Sequence, residues 1–152
     1  MLKRAASSID LHEAATRERL QMLDSGLEMA HDHPLLGLGP GLVQPAYADY
    51  RTDEAPARIP HLHNNAIQLA AERGVAGLLT YVAILGVFAF HIRQTLQTAS
   101  PTTRPLVIGC LMAVAGVTTA GLFEYNWGDA EVWIVTLVSL SAPFALAPRK
   151  VA

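Results

Sequence analysis

At 152 residues the chain has room for one domain, but 51% hydrophobic and only 16% charged residues is a poor match to a soluble globule of that size. A net charge of -2 supplies no basic field, and no RNA- or DNA-binding motif is present, so nucleic acid is excluded as a partner. Cys110 is the only cysteine and sits in an apolar run, which excludes an intrachain disulfide or a cysteine-built metal site and leaves it a small packing residue.

The charge is segregated. Residues 1–72 hold most of it, whereas 75–147 are nearly uncharged apart from a short basic connector and an acidic turn. This is the pattern of a membrane protein with a polar N-terminal portion. The opening "MLKRAASSIDLHEAATRERL" has basic residues with no apolar run behind them and does not read as a secretory signal.

In chain order, residues 11–30 predict an amphipathic helix, with Leu20, Leu23, Leu27 and Ala30 at spacings of three and four. It should end near "HDHP", because Pro34 disfavours helical backbone at the residue before it. "LLGLGPG" (35–41) is an apolar turn with neither the Gly-Lys-Ser/Thr ending nor the preceding strand of a phosphate-binding loop. Residues 42–60 read as loop, with Tyr47 and Tyr50, and a short helix should begin at Asn64 and Asn65, where an asparagine can cap the first turn. Three apolar segments follow at about 75–92, 105–123 and 132–147. The first is long enough to cross a bilayer core, which takes about 20 helical residues. The second is rich in the small residues that let membrane helices approach closely, and the third is short and interrupted by Pro143.

The expected fold is therefore all-α: a polytopic membrane protein with about three transmembrane helices, residues 1–72 forming a helical region outside the bilayer and 73–152 the membrane domain. Arg93 and Arg104 in the connector and Arg149 and Lys150 in the tail point to the cytoplasm, and Glu124, Asp129 and Glu131 mark the opposite side. The polar N-terminal portion then lies on the outer side with that acidic turn.

Two His-x-His pairs stand out, His31 with His33 and His61 with His63. Four imidazoles could fill a tetrahedral zinc site, but the spacing is not that of a helical zinc motif. His31 and His33 are accounted for by a cationic side chain's favourable interaction with a helix C-terminus. His61 and His63 are either loop residues without a task or, just above a membrane helix, a general base for a substrate held at the lipid surface. Arg17 and Arg19 are either a solvated face with helix-spaced ion pairs or a phosphate-binding pair, since guanidinium bonds phosphate bidentately. "GLFEYNWGDAEVW" (121–133) is either a polar turn with interfacial aromatics or a functional cluster of Glu124, Asn126, Asp129 and Glu131.

Taken together, "RLQMLDSGLEMAHDHPLLGLGPG", a tyrosine-bearing loop and "HLHNNAIQLAAERGVAGLLTYVAIL" resemble the C-terminal part of the bacterial inner-membrane O-antigen ligase and polymerase family. Arg19, the turn from Pro34 to Gly41, His61, His63, Asn64, Gln68, Glu72, Gly74 and Gly77 stand where that family's motifs have them, and "FEYNWGDAEV" is similar to its late periplasmic turn. Asn65 and Ala66 depart from the usual bulky residues after "HN". The resemblance covers about residues 15–140 and implies a multi-pass inner-membrane protein with its histidine motif in the periplasm. It also implies that further membrane helices precede this region, so that the chain is a fragment, is a truncated gene product or is completed by a separate N-terminal membrane half.

The activity implied is transfer of a glycan from an undecaprenyl-diphosphate carrier to a hydroxyl of lipid A core or another acceptor, with no metal and no cofactor. His63 would be the base and Arg19 would stabilise the departing diphosphate. Arg17, His61, Asn64, Gln68, Glu124 and Asp129 are the candidate substrate-binding residues, and membrane lipid surrounds the apolar helices. Two alternatives stand beside this reading: an inactive or accessory glycolipid-binding membrane fragment, and a histidine-ligated metalloprotein.

Overall fold

The computed structural model describes residues 14–146, and its regular structure is helical throughout. The elements are α1 (Ala14–Asp32), α2 (Val43–Tyr50), α3 (Asn65–Thr98), α4 (Arg104–Ala120) and α5 (Ala130–Leu146). The expected start of the first helix at residues 11–13, the end of the third apolar segment at Ala147, and the basic pair Arg149 and Lys150 lie outside the described residues. Two compact units are present. One comprises the described residues up to Leu78 with Phe123–Tyr125, the other Leu79–Leu122 with the described residues from Asn126 onward.

The first unit is built on Met22, Met29, Val43, Tyr47, Ile59, Leu62 and Ala71, with Leu38, Tyr50 and Ile67 packed against them. The face that α1 buries differs from the leucine stripe the spacing predicts. Met22, Ser25, Gly26 and Met29 are inward, whereas Leu20 and Leu27 are 44% and 55% exposed. The reason is steric. A Cβ at Gly26 would lie 2.5 Å from Ile67 Cγ2 and 2.6 Å from Leu62 Cδ1, so the helix turns its small-residue face to the close neighbour and fills the flanks with flexible methionines.

The second difference is α2, where the sequence reads as loop. Val43 and Tyr47, one turn apart, are buried together on α1, and Pro45 falls in the first turn, where its missing N–H is not needed. Eight residues are too few to be helical on propensity alone, so tertiary burial stabilises this element.

The glycine turn has a backbone role that composition does not reveal. α3 is interrupted at Gly74, whose φ of 62° and ψ of -163° belong to a region essentially reserved for glycine. Around that break the turn supplies the missing partners. Leu38 N–H donates to Ala71 O at 2.8 Å and Gly39 N–H to Glu72 O at 2.9 Å, while Val75 N–H donates to Pro34 O at 2.8 Å and Ala76 N–H to Leu35 O at 3.4 Å. Such groups at helix ends need partners when removed from water. The fit admits no side chain: a Cβ on Gly37 would stand 2.3 Å from Arg73 N, and one on Gly74 2.4 Å from Leu35 C and O.

In the second unit the remainder of α3 packs with α4 and α5 around Phe88, Ile92, Val107 and Val114, with Cys110 against that cluster as a packing residue. Large apolar side chains remain exposed on all three helices, including Leu79 and Phe90, Leu106 and Met112, and Ile134 and Val138. Among the described residues, α3 is the one helix long and apolar enough to cross a membrane; α4 and α5 are apolar but have 17 residues each. By a rise of 1.5 Å per residue, each of these spans about 25 Å.

Candidate functional site

The segment "HLHN" is held from both ends. Leu62, fully buried in the first unit, pins the middle of the loop between the two histidines. Asn64 then starts α3: its Oδ1 accepts the Ile67 N–H at 3.0 Å, an N-cap bond to the third helical residue. Between them His63 takes a φ of 51°, the one left-handed non-glycine residue among those described. That conformation costs on the order of 1–3 kcal/mol and persists only where surroundings over-determine it. Here the His63 N–H donates to His61 Nδ1 at 3.3 Å.

Both imidazoles meet Glu124. His63 Nδ1 lies 2.9 Å from Glu124 Oε2, and His61 Nε2 lies 3.3 Å from Oε1, which also accepts the Tyr125 N–H at 3.0 Å. These contacts assign the protons. His61 Nδ1 is an acceptor, so its hydrogen is on Nε2 and donates to the carboxylate. His63 uses Nδ1–H toward the same carboxylate, leaving its Nε2 with the lone pair. The rings stand edge to face with centroids 4.4 Å apart, and Tyr125 tilts over His61 at 5.7 Å.

Burial works to raise the Glu124 carboxyl, but the His63 hydrogen bond, the Tyr125 N–H and the electrostatic attraction of the His63 and His61 rings outweigh it and hold the group below its ordinary value. Tyr125 is pushed up by burial and by the charge of Glu72, with Arg73 acting in the opposite sense. His61, His63 and Glu124 offer ligand atoms within 4.8 Å of one another, and among the described residues they are the group that could hold a cation. His31 and His33 are not part of it and stand exposed at the end of α1, with His31 in the last turn.

Of the residues singled out in the sequence, His61, His63 and Glu124 are brought together. Gln68 is buried, its amide oxygen accepting the Leu62 N–H at 2.9 Å and its Nε2 donating to Glu72 Oε1 at 2.8 Å, so both ends of the amide are engaged within the protein. Arg17 and Arg19 are exposed on α1 and are not among the groups that meet at Glu124. Asp129 belongs to the second unit, where its carbonyl accepts the Trp133 N–H at the start of α5. Glu72, not singled out as a site residue, is 5% exposed and accepts the Gly41 N–H at 3.1 Å. Its four-residue spacing from Gln68 was the available signal.

Residues 1–82 match the model of a family described as O-antigen ligase, a span that takes in every member of the cluster except Glu124. Members are inner-membrane, glycosyltransferase-like enzymes of O-antigen and lipopolysaccharide biosynthesis, with a lipid-linked glycan and an acceptor as their general partners. Neither the curated proteins nor the solved structures returned a match.

Proposed function

The chain belongs to the O-antigen ligase family, and on that premise we propose that it is the part of such an enzyme that carries the base for glycan transfer from undecaprenyl diphosphate to an acceptor hydroxyl at the periplasmic face. The observation that supports this most is the meeting of both imidazoles at the Glu124 carboxylate. With Nδ1–H of His63 held by the carboxylate, the lone pair of Nε2 is presented for a proton. The acceptor hydroxyl oxygen attacks the anomeric carbon, its proton passes to His63 Nε2, and the bond to the diphosphate oxygen breaks with its electron pair going to the leaving group. Glu124 stabilises the imidazolium that forms, and His61 holds His63 in its left-handed conformation through the backbone N–H.

In this reading Arg19 meets the charge developing on the diphosphate, as a guanidinium suits phosphate oxygens and stays charged, and Arg17 contributes to binding the substrate. Asn64 caps the helix behind the base. Residues 1–72 are periplasmic, and 73–152 cross the bilayer three times. The exposed apolar side chains of α3, α4 and α5 support that placement, since so much apolar surface in water is unfavourable. Lipid A core is one acceptor of the required chemistry.

The test is glycan transfer in a ligase-deficient bacterial strain by this chain alone and by the chain joined to an upstream membrane half, each with His63→Ala and Arg19→Ala counterparts. Transfer lost in either variant with membrane insertion intact supports the role given to that residue. Wild-type transfer in a variant removes that role, and no transfer from inserted wild-type protein in either form favours an accessory glycolipid-binding part.

A second reading is favoured by the closeness of three ligand atoms at His61, His63 and Glu124. Two imidazoles and a carboxylate are a donor set suited to zinc. Metal content of purified protein separates the two: stoichiometric zinc lost in His61→Ala supports a metal centre, and metal-free active protein eliminates it.

A further inference from the structure

The buried pair Gln68 and Glu72 has no place in the proton transfer, yet it joins three parts of the first unit. Glu72 Oε1 accepts from Gly41 N–H at 3.1 Å and from Gln68 Nε2 at 2.8 Å, and Gln68 Oε1 accepts from Leu62 N–H at 2.9 Å. The Glu72 carbonyl accepts in addition from Gly39 N–H at 2.9 Å. Glu72 therefore ties the glycine turn to the end of the helix before its break, through carboxylate and carbonyl, and reaches the backbone between the two histidines through Gln68. Gln68 and Glu72 are 2% and 5% exposed and Leu62 is fully buried, so the bonds of the Gln68 amide to Leu62 and Glu72 are shielded from water, while the Gly41 bond is part-buried.

A helix that breaks two residues after Glu72 has little need of a buried carboxylate, which is unfavourable unless hydrogen-bonded. A loop that must hold His63 at a φ of 51° while aligning two rings on Glu124 does need a fixed backbone. The geometry points to Glu72 as a positioning residue that acts through the Gln68 amide on Leu62 N–H and so sets the aim of His61 and His63. This rests on the reading of His63 as the base. Its geometric part, the control of the histidine loop by Glu72, does not depend on turnover.

The experiment uses Glu72→Ala, Glu72→Gln and Gln68→Ala, with His63→Ala as reference, in the complete transferase and in the purified chain. Glutamine at 72 keeps an oxygen for both Gly41 N–H and Gln68 Nε2, so Glu72→Gln should stay within a few-fold of wild type. Glu72→Ala should lower kcat roughly 10- to 100-fold, the range for misplacing a catalytic group by about 1 Å, with KM for the lipid-linked glycan little changed. Gln68→Ala leaves the glycine turn pinned to Glu72 but frees Leu62 N–H, and should lower kcat in the same way.

The second readout is the rate at which diethyl pyrocarbonate modifies His61 and His63, followed by mass spectrometry. Several-fold faster modification in Glu72→Ala and Gln68→Ala, restored in Glu72→Gln, is expected. Unchanged kcat and unchanged histidine reactivity in Gln68→Ala overturn the proposal even if Glu72→Ala fails to fold. Full activity of His63→Ala with altered reactivity in the Gln68 and Glu72 variants removes the base and leaves the positioning link standing.

Discussion

Substituting alanine at Gly74 perturbs the point where the glycine turn plugs the broken helix. The native φ and ψ of 62° and -163° cost a non-glycine residue on the order of 1–3 kcal/mol. The new Cβ would also stand 2.4 Å from Leu35 C and O, both backbone atoms that cannot swing aside. Relieving that clash means moving Leu35 away, which weakens Val75 N–H to Pro34 O and Ala76 N–H to Leu35 O, each bond contributing about 1 kcal/mol. The combined destabilisation is about 3–5 kcal/mol, and at about 2–4 °C per kcal/mol for a chain of this size the expected fall in Tm is roughly 10 °C. The assay is thermal unfolding of purified protein in detergent beside Gly109→Ala. A Cβ at Gly109 has nothing within 4 Å, so that helical substitution should be neutral or raise stability by up to about 1 kcal/mol. Equal Tm values for Gly74→Ala and Gly109→Ala would refute the account of the break.

Removing the shared carboxylate in Glu124→Ala should lower the transfer rate about 10²- to 10⁴-fold, the span of general acid–base contributions, with membrane insertion intact; a loss below threefold counts against the assignment. Because the Glu124 carboxyl is held below its ordinary value of 4.5, its stabilising contribution is complete above that pH and is lost as pH falls through the lowered folded value. The Tm gap between wild type and Glu124→Gln should accordingly shrink on acidification, and a gap that widens would contradict the sign. A reporter fused after Lys150 should register the cytoplasm, as the positive connector and tail demand, and periplasmic activity there would overturn the three-crossing topology.

The family was legible through the resemblance of its motifs, and the helical character and the segregation of charge from apolar segments were legible in the residues alone, because each follows from local periodicity or from side-chain types at short spacing. The histidine motif was legible for the same reason, as was the capping asparagine at Asn64. Other features depend on chain segments distant in sequence. Glu124 lies 61 residues beyond His63, and no local pattern says that its carboxylate receives both imidazoles. The short helix α2 and the methionine face of α1 exist because Tyr47, Val43 and Met29 bury one another, an outcome that helix propensity and leucine spacing do not encode. The glycines at 37 and 74 look like flexible punctuation in the sequence, and only the folded chain shows them as the places where two backbones touch and exchange hydrogen bonds.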